Sequence, residues 1–278
     1  MVKRTLTIAA TLAALLCLAL CPETAIRAAA GSLSYCIAVL LPSLFPFFCV
    51  SGMLNALDFP RLAGERLSGL WCRVFRCSSM GAGAFLLGLL GGYPLGAVCI
   101  AGELRAGTLS GEEAEHLLFF CNNTGPAFLI GAIGAGIFSR TEVGLLLYLS
   151  HALAAVTLGL LSRPARPRER SVHSSAPLPF SEAFSRAVVG AMESCLRVAA
   201  FVVCFSVAVG LLESAGLFGL IRGWLSPLGI SEAHSTVFLR GLLELGSAAS
   251  AMGALPLSPG SLALVAFTVG WGGLSVQF

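Results

Sequence analysis

The chain has 278 residues, of which 56% are hydrophobic and 11% charged, with a net charge of +3. An ordinary soluble domain carries roughly 25% charged residues, so a water-soluble globule is excluded and an integral membrane protein is expected. So small a net charge gives no ground for a nucleic-acid partner, and none is expected.

In chain order, Lys3 and Arg4 precede a first apolar run, Thr5 to Cys21. The pattern imitates a secretory signal, but Leu20 before Cys21 is a poor cleavage site, so an uncleaved first helix is expected. Ser32 to Leu57 reads as a second span, followed by a basic loop with Arg61, Arg66, Arg73 and Arg76. Met80 to Ala101 and Leu117 to Phe138 are apolar but interrupted, and Val143 to Leu161 is a full span. Between the interrupted runs lie Glu103, Glu112, Glu113, Glu115 and His116, with Ser110 to Glu113 forming a capping-box pattern. Residues 163–179, with Arg163, Arg166, Arg168 and Arg170, read as a solvated Arg/Pro linker. Ser181 opens an amphipathic helix with Phe180, Phe184, Val188 and Ala191 on its apolar side, expected to lie along the cytoplasmic interface. Three runs follow: Val198 to Leu212, Val237 to Leu255 and Leu262 to Phe278. Hydrocarbon about 30 Å thick needs roughly twenty such residues, and not all of these candidates need cross it.

The basic clusters should face the cytoplasm, with the N-terminus on that side. Parity then requires that Met80 to Ala101 or Leu117 to Phe138 be a re-entrant hairpin, which implies a protein-lined cavity. Phe85-Leu86-Leu87-Gly88-Leu89-Leu90 returns as Phe238-Leu239-Arg240-Gly241-Leu242-Leu243, and each copy leads about thirty residues on into an interrupted apolar run. Charge placement sends the two copies into the membrane from opposite sides. The expected architecture is an all-α polytopic membrane protein with two inverted-topology repeats containing broken or re-entrant helices. Its segments are 1–31, a first helix and short external loop; 32–162, a first repeat; 163–179, the linker; and 180–278, a second repeat. That repeat lacks the full span that follows the break in the first, so a C-terminal truncation is expected.

Asn122, Asn123 and Thr124 sit amid Phe119, Phe120, Phe128 and Leu129, where unsatisfied polar groups would be costly. Gly125 and Pro126 break the helix there, and Gly91, Gly92, Tyr93 and Pro94 break the preceding run. Exposed half-helix N-termini would favour an anionic solute. In the second repeat the matching candidates are Ser247, Gly272, Gly273 and Ser275. Glu244 is the one carboxylate of Val237 to Leu255; a charge at the centre of a span costs roughly 2.5 to 3.5 kcal/mol, so a coupling role is expected. An ion pair with Arg240, one turn earlier, is the structural alternative. His151 reads as a hydrogen-bonded structural histidine. The ten cysteines are scattered, with no pair spaced for zinc or redox chemistry. Enzyme signatures are absent, so no catalytic residue, metal or cofactor is expected.

The runs Gly91-Gly92-Tyr93-Pro94-Leu95-Gly96-Ala97, Glu112-Glu113-Ala114-Glu115 and Cys121-Asn122-Asn123-Thr124-Gly125-Pro126-Ala127-Phe128 resemble the sporulation integral membrane proteins of the YlbJ, or stage V sporulation protein V, type. These form part of the nucleoside-recognition, or gate-domain, group of membrane proteins. The resemblance covers residues 33 to 278 and implies movement of dipicolinic acid across the outer forespore membrane. A planar dianion agrees with Asn side chains and half-helix N-termini. The expected function is therefore transport of a small planar anion by alternating access, in the cell membrane or outer forespore membrane. A nucleoside transporter-like protein and a non-transporting scaffold for spore assembly are the alternatives. The expected partners are a small-molecule solute and the lipid bilayer, with a homo-oligomer left open.

Overall fold

A computed structural model describes residues 2–162 and 178–277, and the regular structure among them is helical. Residues 163–177, most of the expected linker with its four arginines, lie outside the described residues. The helices are α1 (Val2–Leu20), α2 (Pro22–Tyr35), α3 (Leu41–Ala56), α4 (Phe59–Phe75), α5 (Met80–Gly91), α6 (Leu95–Arg105), α7 (Gly111–Cys121), α8 (Thr141–Leu161), α9 (Phe180–Ser214), α10 (Leu217–Leu225), α11 (Glu232–Leu243), α12 (Leu245–Met252), α13 (Pro259–Trp271) and α14 (Leu274–Gln277). Two π-helical stretches join them, Cys36–Leu40 between α2 and α3 and Ala127–Ile137 before α8. The ring of Pro42 would press on the carbonyl four residues back, which falls in the first of these widened turns and relieves the crowding.

Four stretches are long and apolar enough to cross a membrane: Pro22–Ala56, Thr141–Leu161, Phe180–Ser214 and Pro259–Gln277. A fifth candidate is the pair α4 and α5, bent by 94° at its break. The chain is thus an all-α, polytopic membrane protein. It divides into two compact units: Met1–Ala38 with Val198–Phe278, and Val39–Arg197.

In the second of these units, α4, α5 and α7 close on an aromatic cluster. Trp71 and Phe75 have ring centroids 4.3 Å apart, and Phe75 and Phe120 stack at 5.5 Å. Phe85 completes the group, and Gly159 of α8 lets that helix approach Phe75 and Phe120. Ser110 caps α7 by accepting the Glu113 N–H at 3.2 Å. The reciprocal half of the capping box is not made, because Glu113 Oε1 instead accepts the Ser78 N–H at 2.7 Å and ties α7 to the α4–α5 turn. In the other unit, Val209, Phe218 and Leu239 join α9, α10 and α11.

Two expectations need correction. The amphipathic stretch from Ser181 is not a separate interfacial helix but the first half of the continuous 35-residue helix α9. Its buried side is the small-residue row Ala183, Ala187, Ala191 and Cys195, while Phe180 and Phe184 are exposed. Ala187 meets Gly52 of α3, and small residues on both helices permit that approach. Val237 to Leu255 is not one span either. It breaks at Glu244, whose backbone is extended (φ −154°, ψ 128°), into α11 and α12.

Candidate functional site

Within the unit Val39–Arg197 the two interrupted segments meet at their breaks. The first stops at Gly91 because Gly92 takes φ +76°, and it restarts at Leu95 after Pro94. The second stops at Cys121 and restarts at Ala127 after Pro126. A β-carbon on Gly92 would stand 2.6 Å from the Gly125 nitrogen, and one on Gly125 would stand 2.8 Å from the Gly92 nitrogen. The two breaks therefore touch backbone to backbone, which only glycine at both positions allows. Gly88 and Gly96 flank the terminal carbonyl of α7, that of Cys121, just as closely.

Polar groups converge on this crossing. The Thr124 and Tyr93 hydroxyls hydrogen-bond at 2.6 Å, joining the breaks through side chains. The Thr124 backbone N–H donates to His151 Nε2 at 3.1 Å, which requires the neutral ring to carry its proton on Nδ1. Tyr148, one turn before His151 on α8, donates to the Leu89 carbonyl at 3.2 Å. Asn123 is buried and donates from Nδ2 to the Phe120 carbonyl at 2.8 Å, closing the frayed end of α7. Its neighbour differs: Asn122 Oδ1 is buried without a hydrogen-bond partner among the described residues. Neither α6 nor the π-helical stretch from Ala127 has a side-chain cap. Their first turns are closed by backbone bonds from Leu95 N–H to the Gly92 carbonyl at 2.9 Å and from Phe128 N–H to the Gly125 carbonyl at 3.2 Å, and both present positive dipole ends.

Gly91, Gly92, Tyr93, Pro94, Asn122, Asn123, Thr124, Gly125 and Pro126 are thus brought together. His151 joins them, with the hydrogen bond that its buried position called for. Thr124→Val should remove the hydroxyl link while leaving the backbone bond to His151. It is expected to cost about 1 kcal/mol, read as a lowered unfolding temperature of the detergent-solubilised protein, with Tyr93→Phe giving a similar loss.

The remaining candidates lie in the other unit, where the same arrangement recurs. Glu244 forms the break between α11 and α12, and Gly272 and Gly273, at φ +74° and +79°, form the break between α13 and α14. A β-carbon on Gly273 would stand 3.1 Å from the Glu244 backbone, so these breaks touch as well. Glu244 is 2% exposed and caps α12, accepting the Gly246 and Ser247 N–H groups. Ser247 returns a bond from Oγ to the Glu244 carbonyl at 3.2 Å. Ser275 lies in the short helix α14. Arg240 pairs with Glu213 of α9 at 2.9 Å, not with Glu244. The ion pair considered for Glu244 depended on an unbroken helix, and the break removes that geometry. The break itself could have been read from the repeat: Gly91 stands six residues after Phe85, and Glu244 six after Phe238.

No family model matches the chain, and no solved structure does. The chain is 27% identical to the Sporulation integral membrane protein YlbJ of Bacillus subtilis (strain 168), in an alignment of 283 positions that covers 92% of this chain and 69% of that protein. Coverage of that extent takes in residues of both units. The resemblance read from the glycine, tyrosine–proline and paired-asparagine motifs is borne out, and this chain is similar to the sporulation integral membrane proteins of the YlbJ type.

Proposed function

We propose that this chain is a membrane transporter of a small planar anionic solute, acting during sporulation. Dipicolinic acid, moved across the outer forespore membrane, is the solute that the resemblance favours. The observation that carries the reading is the crossing of two broken helices at Gly92 and Gly125, with N-termini that lack side-chain caps at α6 and at the Ala127–Ile137 stretch. Asn122 Oδ1, buried without a partner among the described residues, is an acceptor that a donor-less dianion leaves to water or a moving element, so the solute would meet the Nδ2 edge of that amide. The uncapped N-termini of α6 and the Ala127–Ile137 stretch would face the solute's carboxylates, and the Asn122 amide would orient its ring. The repeated arrangement of breaks supports alternating access by inverted repeats, with Glu244, Ser247, Gly272, Gly273 and Ser275 as the second repeat's counterpart. Glu244 is the buried acid best suited to couple a proton or cation to that movement.

The two asparagines separate binding from folding. Asn122→Ala is expected to lower dipicolinate uptake into reconstituted vesicles about tenfold, while changing stability by less than about 0.5 kcal/mol. Asn123→Ala removes the bond to the Phe120 carbonyl and should cost about 1 to 2 kcal/mol of stability. Unchanged uptake in both variants, with normal insertion, would remove the solute from this crossing, and no uptake by the wild-type chain would leave the scaffold alternative standing.

A further inference from the structure

Within the unit Met1–Ala38 with Val198–Phe278, a cavity of about 470 Å³ opens between α2, α9, α11 and α12. Three polar atoms on its lining residues are buried without a hydrogen-bond partner among the described residues: Tyr35 Oη, Ser206 Oγ and Arg240 Nε. Ser206 is 8% exposed, on a helix whose neighbouring Val202 and Val209 supply apolar wall. The hydroxyls can donate or accept, but the guanidinium edge can only donate. Arg240 already holds one carboxylate, that of Glu213, through Nη2 at 2.9 Å. Glu213 is shared in turn with Arg222 at 3.7 Å. Arg27 also lines the cavity, so its wall carries two guanidinium groups against the single carboxylate of Glu213.

We propose that this cavity is a solute-binding site for a small carboxylate, whose oxygens engage the unpartnered Nε of Arg240 together with the Tyr35 and Ser206 hydroxyls when these side chains, buried at the cavity wall, turn toward it. A guanidinium presents paired N–H groups matched to a carboxylate, and Glu213 occupies only part of that fork. Glu213 is then a competitor that holds Arg240 until the ligand arrives. Ser247 connects the cavity to the α11–α12 break, since its Oγ bonds the Glu244 carbonyl. The site deepens the transport reading and rests on it for the ligand being a passenger; binding itself is tested separately.

The test is equilibrium binding of radiolabelled pyridine-2,6-dicarboxylate to the full chain in lipid nanodiscs, with its neutral diamide as comparison. Arg240→Gln should weaken binding about tenfold, and Tyr35→Phe and Ser206→Ala a few-fold each. Glu213→Gln should strengthen binding about threefold by releasing Arg240. The opposite signs at Arg240 and Glu213 are the signature, because a merely structural ion pair would make both variants weaker. Three results would overturn the assignment: equal binding of the diamide, wild-type affinity in Tyr35→Phe and Ser206→Ala, or Glu213→Gln as weak as Arg240→Gln. Absence of uptake by the wild-type chain would sink the transport reading, and uptake that survives Asn122→Ala and Asn123→Ala would sink only the crossing as its site; either result leaves this cavity to its own binding result.

Discussion

Replacing Gly88 by alanine is expected to prevent the two broken segments of the unit Val39–Arg197 from crossing. The new β-carbon would overlap the Cys121 carbonyl oxygen at the end of α7, and behind it lies Gly96, which presses on the same oxygen from α6. Neither obstacle is a flexible side-chain tip, so relief requires a backbone shift that would also part Gly92 from Gly125. Overpacking of this kind costs about 3 kcal/mol, a large share of any domain's stability. The protein should still insert, because the apolar stretches are untouched, but it should elute as aggregate after detergent extraction. Gly102→Ala is the control: it lies in α6, and its β-carbon would meet nothing within 4 Å. That variant should be neutral or slightly stabilising, as helical propensity favours alanine by about 1 kcal/mol. A monodisperse Gly88→Ala protein with wild-type unfolding temperature would show that the crossing is looser than the described packing.

Glu244→Ala should be nearly as damaging, for a different reason. The carboxylate holds the first free N–H groups of α12, those of Gly246 and Ser247, in a place where it is itself 2% exposed. Losing a cap and leaving two buried donors empty amounts to about 3 kcal/mol. Glu244→Gln keeps one carbonyl oxygen and should recover part of that loss in thermal unfolding. Its uptake then speaks to coupling: transport that persists but no longer follows an imposed ion or proton gradient would support a coupling role. Transport with unaltered gradient dependence would leave Glu244 as a helix cap alone.

The breaks at Gly92–Pro94 and Asn122–Pro126 were legible because their cause is local. A proline without an N–H and a glycine at positive φ end a helix whatever surrounds them. The break at Glu244 was hidden because no proline or glycine occupies that residue, and what stabilises it is a side chain folded back on its own backbone. Position within the duplicated Phe-Leu-x-Gly-Leu-Leu unit was the available signal. The amphipathic reading of residues 180–191 failed similarly. It took Phe180, Phe184, Val188 and Ala191 as the apolar side of an interfacial helix, whereas the described packing buries Ala183, Ala187 and Ala191 and leaves Phe180 and Phe184 exposed. Between membrane helices, closeness of approach favours small residues, and lipid can take the aromatic ones.

By itself the sequence determined that this protein is helical, spans a membrane and carries duplicated interrupted segments. Composition, run length and proline–glycine placement act through the bilayer and the local backbone, and so they need no knowledge of distant residues. Tertiary structure alone decided who partners whom: Thr124 with Tyr93 and His151, Glu113 with the Ser78 N–H, and Arg240 with Glu213 rather than with Glu244. Each of those pairs joins separate helices or breaks, and a hydrogen bond a few ångströms long depends on how those elements cross, which no local pattern encodes.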